Sequence, residues 1–228
     1  MGASTVVRAA SLPSLASAVP RSASMAAFMG GRVAVLVSGS GTNLQALLDD
    51  PAIRPHIALV LSDRPGVLAL QRATDADVEA LVIEPTGDRA ELSNAVADAL
   101  TQRGIDVIVS AGYMRVLGAP VTERWRHRWL NVHPALLPSF PGMHGVRDAL
   151  AYRVTITGVT VHFVDEGIDS GPIVLQETVE IRDNDDWDSL EPRIHEVEHR
   201  LLPRAVRALL QDRLLVEGRH VRIREEET

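Results

Sequence analysis

The stretch Asn131-Val132-His133-Pro134 sets a carboxamide and an imidazole two residues apart, directly before a proline. Side chains alternate faces along a strand, so Asn131 and His133 point one way and Val132 the other. Pro134 lacks a backbone N–H and ends the ladder. The pair therefore stands where a strand gives way to a long, proline-stiffened loop, and the ring is open to packing, metal binding or proton transfer. Downstream, Asp165, Glu166 and Asp169 place three acids in a short glycine-bearing segment. Such a run is ordinarily a solvated hairpin loop. Its chemical alternative is an acid that orients or charges a histidine, although spacing alone does not bring Asp169 to His133.

Three other segments carry candidate chemistry. Ser38-Gly39-Ser40-Gly41-Thr42-Asn43 follows an apolar run, and glycines there let backbone N–H groups approach an anion at a helix N-terminus. The dinucleotide fingerprint needs glycine at position 44, which is Leu44, but Asp63 could imitate the ribose-binding acid of such folds. A nucleophile elbow fails because Ser38 stands where its first glycine should be. Phosphate binding by Gly41, Thr42 and Asn43 fits best, with a plain strand-to-helix turn as the bland alternative. His195-Glu196-Val197-Glu198-His199 matches the H-E-x-x-H zinc signature on an expected helix, with Glu217 as a conceivable third ligand. So short a pattern also arises by accident. In Ala111-Gly112-Tyr113-Met114-Arg115-Val116-Leu117, apolar residues around one arginine could line a pocket for a flat ring system. Arg89, at a helix start, reads more simply as a surface residue.

Composition narrows the classes. The chain of 228 residues is 46% hydrophobic and 23% charged, and is long enough for one domain with a substantial core. A net charge of −7 gives no support for nucleic acid as a partner, and no apolar run approaches a membrane span. There is no cysteine, and all 23 basic residues are arginine. Thiol nucleophiles, Cys-ligated zinc, a Schiff-base lysine and a P-loop lysine are thereby excluded. Residues 1–30 are rich in Ala and Ser, and the first acidic residue is Asp49. They read as a disordered tail or a start assigned too early, with Met25 or Met29 as the true one; an organelle transit peptide is the alternative. Residues 31–228 read as a single domain.

The elements that must position these residues alternate. Strands are expected at 32–37, 57–61, 80–84, 106–112 and 129–133, with helices at 42–50, 67–75 and 88–103, the last capped by Asp88 and stopped by Gly104. This is an α/β pattern: a Rossmann-like, mostly parallel, doubly wound sheet. The last third changes character. Strands at 157–167 and 171–181 pair directly as an antiparallel edge. A helix over 187–211 buries Ile194, Val197, Leu201, Ala205 and Ala208 at spacings of three and four, and a small hairpin ends the chain.

Taken together, VAVLVSGSGTNLQALL, AGYMRVL, NVHPALLPSFPG, TGVTVHFVDEGIDSGPI and EHRLLP resemble the phosphoribosylglycinamide formyltransferases, folate-dependent enzymes of purine synthesis. The resemblance covers about residues 32–216, and its most specific part is N-x-H-P-x-L-L-P followed by D-x-G-x-D-x-G-P. It differs from methionyl-tRNA formyltransferases, which carry an Arg-Trp-Arg-Gly-like stretch and a C-terminal barrel, and from formyltetrahydrofolate deformylases, which carry an N-terminal regulatory domain. The resemblance implies the formyltransferase fold and transfer of a formyl group from 10-formyltetrahydrofolate to the amine of 5-phosphoribosylglycinamide. Asn131, His133 and Asp169 match the catalytic trio, as oxyanion stabiliser, general acid, and the acid that orients and charges the histidine. Gly41, Thr42, Asn43 and Glu198 match the ribonucleotide contacts. Arg89, Met114, Arg115, Val116, Leu117 and Asn131 match the folate site. The resemblance implies small-molecule substrates, no metal, no nucleic acid or membrane partner, a monomer or homodimer, and a cytoplasmic enzyme. Tyr113 departs from a frequent Phe, and AYRVTITG (151–158) lacks the usual glycine of its preceding loop. The alternatives are the sister deformylase activity and a zinc hydrolase using His195, Glu196 and His199.

Overall fold

A computed structural model describes residues 31–225; the expectations for residues 1–30 lie outside them. Strands β1 (Val33–Val37), β2 (Ile57–Ser62), β3 (Glu79–Val82), β4 (Val107–Ser110) and β5 (Trp129–His133) alternate with helices α1 (Thr42–Leu48), α2 (Leu68–Asp75), α3 (Arg89–Gln102) and α4 (Ala119–Thr122). Then follow α5 (Gly145–Tyr152), β6 (Ile156–Phe163), β7 (Ile173–Glu180), α6 (Trp187–Leu210) and the hairpin β8 (Leu214–Glu217) and β9 (His220–Ile223). Seven strands form one sheet in the order β3-β2-β1-β4-β5-β6-β7. The pairs from β3 to β5 are parallel, and β5–β6 and β6–β7 are antiparallel. The expected mostly parallel sheet with an antiparallel edge is what the chain forms. Among the described residues, no helix is long and apolar enough to cross a membrane.

The apolar run of β1 explains the two layers. Val33, Val35 and Val37 pack with α1 and α6, while Ala34 and Leu36 pack with α3 on the other face. A strand buried on both sides needs β-branched and aliphatic residues at every position, which is why its sequence shows no polar alternation. The helix ends follow local rules. The Asp88 side chain accepts from Ala90 N at 2.7 Å, and Asp186 caps α6 with Ser189 in a reciprocal capping box.

The chain order reverses at β1, whose neighbours are β2 and β4. Open α/β sheets bind ligands in the crevice at such a switch point, beyond the carboxyl ends of the strands. Residues 38–43 after β1 and 111–118 after β4 meet there.

Two expectations shift. The strand expected over 106–112 stops at Ser110, because Gly112 takes the left-handed region (φ 79°) and turns the chain into the crevice. Helix α5 interrupts the loop after β5. It runs for only two turns and buries little besides Val146 and Ala149, too short an apolar stripe to read from spacing. The loop between β6 and β7 is closed at its base by Gly171. A Cβ there would lie 1.8 Å from the Phe163 carbonyl, so glycine alone lets Phe163 N reach the Pro172 carbonyl at 2.9 Å.

Candidate active site

The crevice is a cavity of about 450 Å³, lined from three sides. The β1–α1 turn supplies Gly39 to Asn43, the segment after β4 supplies Gly112 to Leu117, and β5 with the β6–β7 loop supplies Asn131, His133 and Asp169. Helix α6 closes it with Trp187, Glu191, His195 and Glu198.

Asn131, His133 and Asp169 meet at one end of the cavity. Asp169 lies 38 residues beyond Asn131 in sequence, yet its carboxylate touches both strand-end residues because the β6–β7 loop doubles back over β5. His133 Nδ1 is 3.3 Å from Asp169 Oδ2. Its Nε2 is 2.8 Å from the Phe140 carbonyl, which can only accept, so Nε2 carries the hydrogen and Nδ1 is the basic nitrogen when the ring is neutral. Asp169 takes a left-handed backbone (φ 50°), an uncommon conformation for a residue with a side chain. Gly142 N donates to its Oδ2 at 2.7 Å, which ties this turn to the loop after β5.

A fourth member, His162, is absent from the sequence-derived set. It sits on β6 directly across from Asn131. Its Nε2 lies 3.1 Å from the Asn131 amide nitrogen and 3.5 Å from Asp169 Oδ1, and its Nδ1 bonds the Phe163 carbonyl at 2.9 Å. The only signal was a polar ring among apolar residues of a buried strand; its partner depends on strand register. The Asn131 amide nitrogen is also 3.4 Å from Asp169 Oδ1, so both its hydrogens have acceptors.

The electrostatics correct one expectation. Burial lowers the His133 pKa below 6.5; the Asp169 charge and the Phe140 carbonyl oppose this but do not overcome it, and His162 adds to the lowering. The resting ring therefore favours the neutral form, where the sequence reading has it charged. For Asp169 the balance goes the other way. Burial pushes its carboxyl up, but the His162 ring beside it, the hydrogen bond from Gly142 N and the charge that either ring carries when protonated hold it below 3.8.

Across the cavity, Glu198 is buried in α6 and accepts from Asn43 Nδ2 at 2.9 Å, a contact spanning 155 residues of sequence. Burial raises its pKa above 4.5; the Asn43 bond and His195 act against that, and Glu191 adds to it. His195 Nε2 is 3.8 Å from Glu198 Oε2, and its ring stacks on His199 with centroids 5.8 Å apart. Among the described residues, Asn43 Oδ1 is buried without a hydrogen-bond partner. This corner thus presents acceptors and awaits donors, as hydroxyl groups would supply. Gly41 adopts φ 73°, and a Cβ there would come within 2.7 Å of Ala69 Cβ. Only glycine lets the turn pass so close to α2 and keep Thr42 and Asn43 in the cavity wall.

The zinc reading of the same helix finds no support in the geometry. Among the described residues, no group of three or more His, Cys, Asp or Glu is arranged to hold a metal ion. Glu217 is engaged by Arg222 at 2.7 Å on the terminal hairpin.

The third wall is apolar with one cation. Met114, Arg115, Val116 and Leu117 line it, and Met114 N donates to Ser38 Oγ at 2.9 Å, which joins the two loops of the switch point. Arg89 is not brought into the lining. Exposed at the start of α3, it donates to the Leu117 carbonyl at 3.0 Å and so braces this segment from behind.

The switch-point cavity thus carries an Asn-His-His-Asp cluster at one end and a buried acid at the other, and comparison with known proteins gives the class to which such a chain belongs. Residues 31–206 match the formyl transferase family, and the chain belongs to it. It is 44% identical over 193 residues to the phosphoribosylglycinamide formyltransferase of Mycobacterium tuberculosis, covering 82% of this chain and 89% of that one. Within the wider family the chain is thus a member of the phosphoribosylglycinamide formyltransferases. The glycinamide ribonucleotide transformylase 1 of Symbiobacterium toebii has the same fold, with a TM-score of 0.83 and 43% identity over 87% of this chain and 96% of that one. The trifunctional purine biosynthetic protein adenosine-3 of Drosophila melanogaster is 47% identical over 81% of this chain, which spans only 14% of that protein's length.

Proposed function

We propose that the chain transfers the formyl group of 10-formyltetrahydrofolate to the amine of 5-phosphoribosylglycinamide, a step of de novo purine biosynthesis, and that residues 31–228 act as one domain for it. The observation that carries this reading is the convergence of Asn131, His133, His162 and Asp169 at one end of a cavity whose far wall presents Asn43 and Glu198. Gly41, Thr42 and Asn43 hold the phosphate end of the ribonucleotide and Glu198 its ribose. Residues 114–117 form the wall for the flat ring of the folate, with Arg89 behind them.

The amine attacks the formyl carbon, and a tetrahedral centre with an oxyanion forms. Its collapse breaks the bond to N10, so one proton must leave the amine and one must reach N10. The basic Nδ1 of His133 is suited to carry it, since a ring kept neutral by burial can take a proton and return it. The new negative charge beside the ring and the Asp169 carboxylate favour the imidazolium just when the oxyanion exists, which is a preference for the transition state over the ground state. Asn131 donates to the oxyanion after one of its hydrogens leaves His162 or Asp169. No covalent intermediate is required.

The test is formyl transfer itself: purified protein with 10-formyltetrahydrofolate, with and without the ribonucleotide, followed by absorbance of the released folate. Release that depends on the ribonucleotide is the expected result. Release without it would assign the deformylase activity instead, and no release from folded protein would refute the reading.

A further inference from the structure

Asp63 closes β2 and takes no part in the reaction above. Its side chain is fully buried, 0% exposed, and absent from the cavity lining, so it does not meet a bound sugar as the ribose acid of a dinucleotide fold would. Oδ2 accepts from Arg115 Nε at 2.6 Å, and the exposed Arg64 lies 3.7 Å from the same oxygen. The other oxygen, Oδ1, is buried with no hydrogen-bond partner among the described residues. Tyr113 carries a second such atom: its hydroxyl is buried and, among the described residues, unpartnered. Both Tyr113 and Arg115 line the cavity. An ionised oxygen buried away from water is costly unless donors and charges compensate it, so an acid at this place calls for a reason.

The reason lies in the shape of a guanidinium. It is planar, with five N–H donors in a fixed fork. Asp63 holds Nε, which fixes the plane of the fork and leaves the edge formed by the two Nη groups. That edge matches a carboxylate in two parallel hydrogen bonds. An arginine on a long free stem would pay rotamer entropy to present it; one held at Nε is already placed.

Resting on the folate reading of residues 114–117, we propose that Asp63 is a positioning residue of the cosubstrate pocket. It holds Arg115 so that the Nη edge receives a carboxylate on the tail of the bound folate. Burial and the Asp63 charge both push the Tyr113 pKa up, so its hydroxyl stays protonated beside the carboxylate without bonding to it. Arg115 thereby confers a preference for anionic folates, and Asp63 acts through it.

The test compares tetrahydrofolate with its carboxylate-free analogue, the tetrahydropteroyl amide, by calorimetry on the full chain, with turnover measured alongside. Wild type should bind tetrahydrofolate more tightly. Asp63→Asn should weaken tetrahydrofolate roughly tenfold, leave the amide within about twofold, and leave kcat at saturation nearly unchanged. Arg115→Ala should erase the difference between the ligands, and adding Asp63→Asn to it should change nothing further. If Asp63→Asn weakens both ligands equally, it is only a packing residue and the inference is overturned. Should that variant not fold, Arg115→Lys decides, since a lysine keeps the charge but not the fork: loss of the tail preference supports the inference and its retention overturns it. Wild type that transfers formyl groups yet binds both ligands equally overturns the inference and leaves the proposed function standing. Wild type that binds neither sinks both.

Discussion

Two ends of one cavity each pair a carboxylate with a carboxamide and an imidazole, yet the carboxylates behave oppositely. Asp169 meets Asn131, His133, His162 and a backbone N–H, and is held below the usual aspartate range despite burial. Among the described residues Glu198 has one hydrogen bond, from Asn43, with His195 farther off, and burial pushes it above the usual glutamate range. The difference teaches that the charge survives where donors outweigh burial: Glu198 is the more deeply buried of the two and has fewer donors to offset it. It also separates their work. A carboxylate already satisfied by the protein can stabilise a charge that appears on its neighbour during the reaction. One left short of donors is ready for a ligand that brings them.

The largest effect should come from the satisfied end. Asp169→Asn or His133→Ala should reduce kcat by roughly 10² or more while the circular dichroism spectrum stays that of wild type. Turnover like wild type in both would break the comparison at its root. Glu198→Gln should act on binding instead. The KM for the ribonucleotide should rise about tenfold, the scale of a charge-assisted hydrogen bond, with kcat changed far less. Equal losses of kcat at both ends would show that the division of labour is wrong.

Stability should split in sign. The folded pKa of Asp169 lies below its unfolded value near 3.8, so its contribution is present above that pH and is lost as the pH falls through the folded value. Glu198 is raised above 4.5, so its ionisation costs stability as the pH rises from there. At pH 7, Asp169→Asn should therefore lower Tm and Glu198→Gln should raise it, each by a few degrees in thermal melts. A shift of the same sign in both would contradict the pKa directions. His133 adds a window of its own. Its folded pKa is below 6.5, so its contribution is complete above that pH and is lost as the pH falls toward the folded value. In Asp169→Asn, NMR titration should place the His133 pKa lower still, since the opposing charge is gone.

Smaller effects test the supports. Gly41→Ala should cost about 1–3 kcal/mol in urea unfolding, because its φ of 73° and the approach to Ala69 both resist a side chain. His199→Ala should leave turnover within about twofold, since His199 lies behind His195 and outside the cavity lining. Complete loss that zinc reverses would revive the hydrolase reading.

Much of this protein is legible from local pattern. The apolar runs of β1 and β2, the Asp88 cap, the apolar stripe of α6 and the glycine turn at 38–43 need only near neighbours to be interpreted, because helix and strand periods are local properties of the chain. Asn131 and His133 stand on one strand face for the same reason. The helix α5, the partnership of His162, the reach of Asp169 and the pairing of Asp63 with Arg115 are a different matter. Asn131 faces His162 through the register of β5 with β6, and Asn43 meets Glu198 because α1 packs on α6. Arg89 shows the converse, a residue at the right place in the motif order that packing keeps behind the wall. The sequence by itself determined the strands and the longer helices, their faces and the residue types offered at the strand ends. The tertiary structure alone decided which of those residues meet, and so which acid is charged, because the path of a loop and the register of a strand depend on contacts between distant parts of the chain.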